Sequence, residues 1–134
     1  MKKFFHIFLK VLLSLILVMP ILGATGIFPA PTEDMYNTAT AFEFINVMMG
    51  TYIVWGISIT FALALICLWI RREALAALLL LPVTVNIIGF HAFMDGGLFT
   101  GGAIMGNVLL ILNLYLMWSN RAAYRPLLSS NTTK

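Results

Sequence analysis

The sequence predicts an all-α integral membrane protein: a single domain, residues 1–134, folded as a four-helix bundle with its N- and C-termini in the cytoplasm. Hydrophobic residues make up 61% of the chain and charged residues only 10%, and the mean hydropathy is +0.99. A soluble domain carries about 25% charged residues, so this composition argues against one. The apolar residues form four long blocks, each able to cross a membrane. All the basic residues fall on one side when these blocks cross in turn.

The first block predicts a helix over residues 4–28. A basic start precedes it, and its apolar stretch is interrupted only by small or weakly polar residues and by Pro20. Such a start is also typical of a signal peptide, with cleavage near Gly23 and Ala24. A retained helix is favoured because it gives an even number of spans and a consistent charge balance. The prolines of residues 29–41 then block continuation of the helix and indicate the first loop.

The second block predicts a helix over residues 44–70. Its 27 residues correspond to roughly 40 Å at about 1.5 Å per residue, so the helix must tilt or extend beyond the hydrocarbon. Glu43, Asn46 and Gly50 share one face at its outer end. The turn to the next helix comprises only residues 71–73, which predicts that the second and third helices are antiparallel neighbours.

The third block predicts a helix over residues 74–94 that bends at Pro82, where a backbone donor is missing. His91 and Asp95 are spaced i, i+4 and therefore share one face. Asn86 lies on a different face of the same helix. It need not share a hydrogen-bond partner with His91.

The fourth block predicts a helix over residues 102–119. Gly102 and Gly106 form a small-xxx-small pattern, which lets another helix approach closely, and Asn113 lies on the same face. Asn107 points elsewhere. Polar amides within a bundle often join helices by hydrogen bonds. The residues predicted to pack the helices together are therefore Asn86, Gly102, Gly106 and Asn113.

Charge predicts the orientation of the four helices. With the N-terminus inside, the inner segments carry all eight basic residues, namely Lys2, Lys3, Lys10, Arg71, Arg72, Arg121, Arg125 and Lys134. The outer loops carry no basic residue and four acidic ones: Glu33, Asp34, Glu43 and Asp95. This is the asymmetry of a multi-pass protein with cytoplasmic ends. A glycosylation sequon at residues 131–133 falls on the cytoplasmic side and is given no role.

Several segments resemble the DoxX-like family of small bacterial membrane proteins. They are residues 82–95 (PVTVNIIGFHAFMD), the short glycine loop and aliphatic helix that follow, and residues 118–128 (WSNRAAYRPLL). The Phe-Pro-x-Pro at residues 28–31 and the Gly-Thr-Tyr at residues 50–52 are also similar. The resemblance implies a four-helix bundle in the bacterial inner membrane, related to the small membrane subunit of thiosulfate:quinone oxidoreductases. Unlike many members, this chain has no carboxylate in residues 55–60.

Five polar residues are predicted to lie towards the outer ends of their helices, where they form a candidate periplasmic-side polar cluster: Glu43, Asn46, His91, Asp95 and Asn107. Ionisable groups at membrane depth often mark a site, and a histidine beside a carboxylate can hold or pass protons. A quinone fits such a place, with imidazole and amide donors for its carbonyl oxygens and Tyr52, Trp55, Phe90 and Phe93 for its ring. Alternatively, His91 only joins helices, and the aromatic residues form an interfacial belt.

Other chemistries lack the residues they need. A metal site is not expected, because no second histidine or cysteine lies near His91 and Asp95 in sequence. Cys67 is the only cysteine, so neither an internal disulfide nor a redox pair can form. The basic residues lie at helix ends rather than in a nucleic-acid patch. Two functions remain open: a quinone-interacting membrane subunit of an oxidoreductase system, or a non-catalytic anchor or assembly partner of another protein or of a second copy.

Overall fold

A computed structural model describes residues 2–128 of the chain, with the side chains of residues 4–127. All regular elements in this range are helical: α1 (Lys2–Ala24), α2 (Ala39–Met49), α3 (Tyr52–Trp69), α4 (Glu73–Phe93), α5 (Ala103–Ser119) and α6 (Arg125–Leu128). Short 3₁₀ turns cover Glu33–Met35 and Arg121–Tyr124. The all-helical prediction is confirmed. Lys134 and the sequon at residues 131–133 lie outside the described residues.

Three helices are long and apolar enough to cross a membrane. They are Phe4–Ala24, Tyr52–Trp69 and Glu73–Phe93. A fourth span is present if Ala103–Ser119 and Arg121–Leu127, which meet at an angle of 70°, are taken as one bent span. By length and composition these are the helices of a membrane protein.

The predicted helix over residues 44–70 is divided into α2 and α3 by a break at Gly50 and Thr51. Gly50 ends α2, and glycine favours such a break because it loses more backbone freedom in a helix than other residues do. Thr51 is extended, with φ −122° and ψ 175°, and its hydroxyl donates to the Met48 carbonyl at 3.0 Å. This break lies within an apolar block, so hydropathy alone gives no sign of it. In addition, α1 ends at Ala24 rather than at residue 28.

The core is built around α4, which packs against both α3 and α5, while α1 packs against α3 and, less extensively, α5. Ala64, Ala76 and Ala77 are fully buried, and such small side chains let helix backbones approach closely. Leucines fill the remaining space, together with Phe61. The outward faces are also apolar: Phe93 is 91% exposed. Large exposed apolar faces are expected where lipid replaces water as the solvent.

Two of the predicted packing positions lie at the contact between α4 and α5. Gly106 is buried, and a Cβ added there would lie 2.8 Å from Ile87 Cγ2 on α4. Asn113 is fully buried, and its amide is satisfied when its nitrogen donates to Ala77 O at 3.0 Å and its oxygen accepts from Leu81 N at 3.3 Å. Asn86, by contrast, is exposed and donates to Pro82 O within its own helix at 2.8 Å.

Candidate functional site at the end of α4

A buried carboxylate forms the centre of the site. Asp95 follows the last turn of α4 and is only 2% exposed. One of its oxygens accepts from Asn37 N at 2.8 Å and from Asn37 Nδ2 at 3.3 Å, and the other lies 3.0 Å from His91 Nδ1. Burying a charge is costly unless it is paired and hydrogen-bonded. These three contacts offset that cost and hold Asp95 in place.

Two glycines shape the end of α4 so that Asp95 can turn inwards. Gly96 and Gly97 have φ values of +80° and +110°, a region that residues with a side chain rarely adopt. Gly97 N donates to His91 O at 2.8 Å, which satisfies one of the free carbonyls at the helix end. The sequence Asp-Gly-Gly therefore both ends the helix and directs the carboxylate to the protein interior.

The loop between α1 and α2 is attached to the end of α4 by Asn37 and Thr38. Asn37 Nδ2 donates to Asp95 O at 3.1 Å, and the Thr38 hydroxyl donates to Met94 O. Thr38 also accepts from Ala41 N at 3.1 Å and so caps α2. Sequence reasoning did not identify either residue as part of the site. The available signal was Thr38 before an apolar run, the usual position of a helix N-cap.

The ring of His91 lies against the glycine face of α5. A Cβ added at Gly102 would lie 3.6 Å from His91 Cε1, and one added at Gly106 would lie 3.5 Å from His91 Cδ2. The two glycines thus leave room for the imidazole, whose side chain is 12% exposed. Phe90 makes an edge contact with it at 5.0 Å between ring centroids, and Phe44 lies 5.7 Å from Phe90.

The two nitrogens of His91 have different surroundings. Nδ1 is held by the Asp95 carboxylate, so it carries the proton in the neutral ring, and Nε2 is then an acceptor. Within the described part of the chain, Nε2 has no hydrogen-bond partner. It is available to a ligand, as an acceptor when the ring is neutral and as a donor when the ring is protonated.

The other members of the predicted polar cluster do not join this pair. Asn107 donates to Leu98 O at 2.7 Å and so fixes the loop between α4 and α5. Glu43 and Asn46 lie exposed on α2, and neither side chain makes a hydrogen bond or ion pair with any residue from 4 to 127. Phe44, which lies beside Glu43 on α2, is 5.7 Å from Phe90 of α4 between ring centroids, so α2 does reach α4. Glu43 and Asn46 stay apart from His91 because they lie on the exposed face of α2.

The fold also separates the aromatic residues that were predicted to contact a quinone ring. Phe90 is partly buried and contacts His91. Phe93, Tyr52 and Trp55 are 91%, 84% and 53% exposed and face outwards. A ring bound at His91 would therefore meet Phe90 first.

Tyr36, in the first loop, lies near the same carboxylate. Burial raises the pKa of its phenol, and the negative charge of Asp95 raises it further. The phenol stays protonated at neutral pH and remains a possible hydrogen-bond donor. Among the described residues, no group of three His, Cys, Asp or Glu side chains could hold a metal ion.

A second polar cluster lies at the opposite end of α4. The Glu73 carboxylate accepts from Lys10 Nζ at 2.7 Å and lies 3.0 Å from His6 Nε2. Lys10 Nζ also lies 5.6 Å from the centroid of the Trp69 ring, a cation–π contact. These contacts join the first turns of α1 to the start of α4. The sequence places Lys10 at a helix end but does not indicate its partner, because more than 60 residues separate Lys10 from Glu73 along the chain.

Comparisons with protein-family models, with curated proteins and with solved structures found no match to this chain. The function is therefore inferred from the residues and their arrangement. The arrangement at His91 can bind a polar group through Nε2 and can hold a proton there, beside an aromatic ring and at the end of an apolar helix.

Proposed function

We propose that this chain is a DoxX-like protein of the bacterial inner membrane that binds a quinone headgroup at His91, as the membrane subunit of an oxidoreductase system. One observation carries the proposal. The His91 ring is fixed through Nδ1 by Asp95 at 3.0 Å, and its Nε2 has no hydrogen-bond partner within residues 4–127. A histidine oriented in this way at membrane depth is typical of a functional site.

The chemistry of the pair suits a quinone. A neutral imidazole accepts a hydrogen bond at Nε2 from the hydroxyl of a quinol, and an imidazolium donates one to the carbonyl of a quinone. The Asp95 carboxylate attracts the positive charge that the ring gains with a proton. Phe90, in contact with His91, offers an aromatic face to the quinone ring. The redox centre that exchanges electrons with the quinone would belong to a partner protein.

Two sets of contacts support a four-helix bundle with cytoplasmic ends. At one end, Lys10 pairs with Glu73 at the start of α4, and the Tyr124 hydroxyl donates to Ala74 O at 2.9 Å. These contacts gather the basic ends of α1, α4 and the segment after α5. At the other end, Asn37 and Asp95 join the two loops that lack basic residues. This separation of charge follows the positive-inside rule.

The experiment measures quinone on purified protein. Wild type, His91→Ala and the control Asn86→Ala are purified in mild detergent, and a ubiquinone analogue is titrated while tryptophan fluorescence is recorded. Asn86 lies in the same helix but is exposed and bonds only within it. The loss of one hydrogen bond to a charged group corresponds to about 1.5–3 kcal/mol, or a roughly 10- to 150-fold weaker Kd. His91→Ala should show this loss, and Asn86→Ala should bind like wild type.

A non-catalytic role, as the anchor or assembly partner of another protein, is the second candidate. It is favoured by the contacts of Asp95, which bind the first loop to the end of α4 and make the pair a structural clamp. Phe93 and Phe99, both at this end, are almost fully exposed and could contact a partner. This alternative predicts a quinone-free wild type that co-purifies with a partner. It also predicts a His91→Ala variant that melts at a lower temperature.

A further inference from the structure

A groove of about 590 Å³ lies at the C-terminal end of α5, and His91 is not among the residues that line it. Its volume falls within the roughly 300–1,000 Å³ range of small-ligand sites. Its walls are mainly apolar, and Arg121 is the one charged residue among them. The lining residues are Leu114, Tyr115, Met117, Trp118, Arg121 and Tyr124. Trp118 and Leu114 are 70% and 50% exposed, so the groove opens sideways from the helix.

A bend in the chain forms the groove. After Asn120 the helix axis turns by 70°, and the Tyr124 hydroxyl donates to Ala74 O at 2.9 Å, which holds the bent segment against α4. Arg121 Nη1 donates to Trp118 O at 3.0 Å, and its guanidinium carbon lies 4.9 Å from the centre of the Trp118 ring. These two contacts place the cation at the rim of an apolar surface.

Arg121 has no carboxylate partner within residues 4–127, whereas Lys10 at the same end of the helices pairs with Glu73 at 2.7 Å. A cation beside an apolar groove at the end of a membrane helix is suited to bind an anion that carries a hydrocarbon chain. Two copies paired through this groove on a two-fold axis would bring their Arg121 side chains together and repel each other.

We propose that this groove binds an anionic phospholipid, with the headgroup phosphate on Arg121 and one acyl chain along Leu114 and Trp118. Arginine is suited to this role because its planar guanidinium presents several donors to phosphate oxygens. The exposed indole of Trp118 suits the boundary between headgroups and hydrocarbon. The proposal is independent of quinone binding at His91.

Native mass spectrometry in mild detergent tests the proposal. Equal amounts of phosphatidylglycerol and phosphatidylcholine with the same acyl chains are added, and the abundances of the two protein–lipid adducts are compared. Wild type should prefer phosphatidylglycerol. Arg121→Gln should reduce the preference by about fivefold, as expected for one cation at the membrane surface, whereas Arg121→Lys should retain most of it. Trp118→Ala should weaken both adducts, because the acyl chain loses its contact.

The matched control is Arg72→Gln, which removes the same charge at the same end of the helices from an exposed residue that does not line the groove. If Arg72→Gln lowers the preference as much as Arg121→Gln does, the lipid responds to overall charge and the proposal is wrong. Inorganic phosphate added alone should not displace the lipid; if it does, the acyl chain plays no part and a phospholipid site is excluded. A mass of two chains in place of the lipid adduct would assign the groove to a second copy.

Discussion

Replacement of Gly106 by alanine should force α4 and α5 apart. The added Cβ would lie 2.8 Å from Ile87 Cγ2 and 3.5 Å from His91 Cδ2. Ile87 is β-branched, and its Cγ2 is bonded directly to Cβ, so a side-chain rotation cannot easily move it away. The backbones must separate, and overpacking of this kind costs about 1–3 kcal/mol. The better helix propensity of alanine returns only about 0.5–1 kcal/mol, so the net effect should be destabilising.

Two other glycines provide matched controls. A Cβ added at Gly56 in α3 or at Gly89 in α4 meets nothing within 4 Å. Alanine at either position gains helix propensity without a clash, so both variants should be unchanged or stabilised by about 0.4–1 kcal/mol. Thermal unfolding in mild detergent, followed by far-UV circular dichroism, compares the three variants. The melting temperature should fall only for Gly106→Ala, and further for Gly106→Leu.

A double-mutant cycle identifies the clash itself. Ile87→Ala removes Cγ2 and leaves space for the new methyl group, so Gly106→Ala should cost less in that background, with a coupling energy of about 0.5–3 kcal/mol. Ile87→Val keeps both branches at Cβ and should give no such relief. Equal melting of Gly106→Ala and Gly56→Ala, or zero coupling with Ile87→Ala, would refute the close contact between α4 and α5.

Two further outcomes follow from the structure, and a third follows from the proposed topology. Thr38→Ala removes the cap of α2 and the hydrogen bond to Met94, so it should lower the free energy of unfolding by about 0.5–2 kcal/mol in the same denaturation assay. Thr38→Ser keeps a hydroxyl at this position and should retain most of the wild-type stability. Asp95→Asn leaves the contacts of Asn37 and His91 without a charged acceptor, which should cost about 1–3 kcal/mol in that assay; an unchanged melting curve would contradict the clamp. A reporter fused at Lys134 should be active in the cytoplasm, and one inserted at Thr38 should be active in the periplasm.

Hydropathy and short-range spacing predicted much of this molecule. The apolar blocks that correspond to α1, α3, α4 and α5 can be recognised in the sequence, because a membrane helix needs a long apolar run. The pairing of His91 with Asp95 follows from their i, i+4 spacing, since such residues meet on one helix face. Gly106 was identified from its spacing with Gly102, and both lie against the α4 end in the structure.

Contacts between distant parts of the chain could not be predicted in the same way. Asn37 bonds Asp95 across 58 positions, and no local pattern indicates which loop residue will meet a buried carboxylate. Hydropathy gave no sign of the break at Gly50 and Thr51, because the break lies within an apolar block. Glu43 lies on the exposed face of α2 and does not meet His91, so depth in the membrane alone did not predict which polar residues meet.

The pH dependence of quinone binding tests the role of His91 most directly. Wild type and His91→Gln are titrated with the same ubiquinone analogue between about pH 5 and 8, the range in which histidine changes its charge. Glutamine keeps a hydrogen-bonding side chain but cannot titrate there. The proposed function predicts that wild-type affinity changes with pH and that His91→Gln binds with a Kd independent of pH. A folded wild type that binds no quinone, or a His91→Gln protein with the same pH profile as wild type, would contradict it.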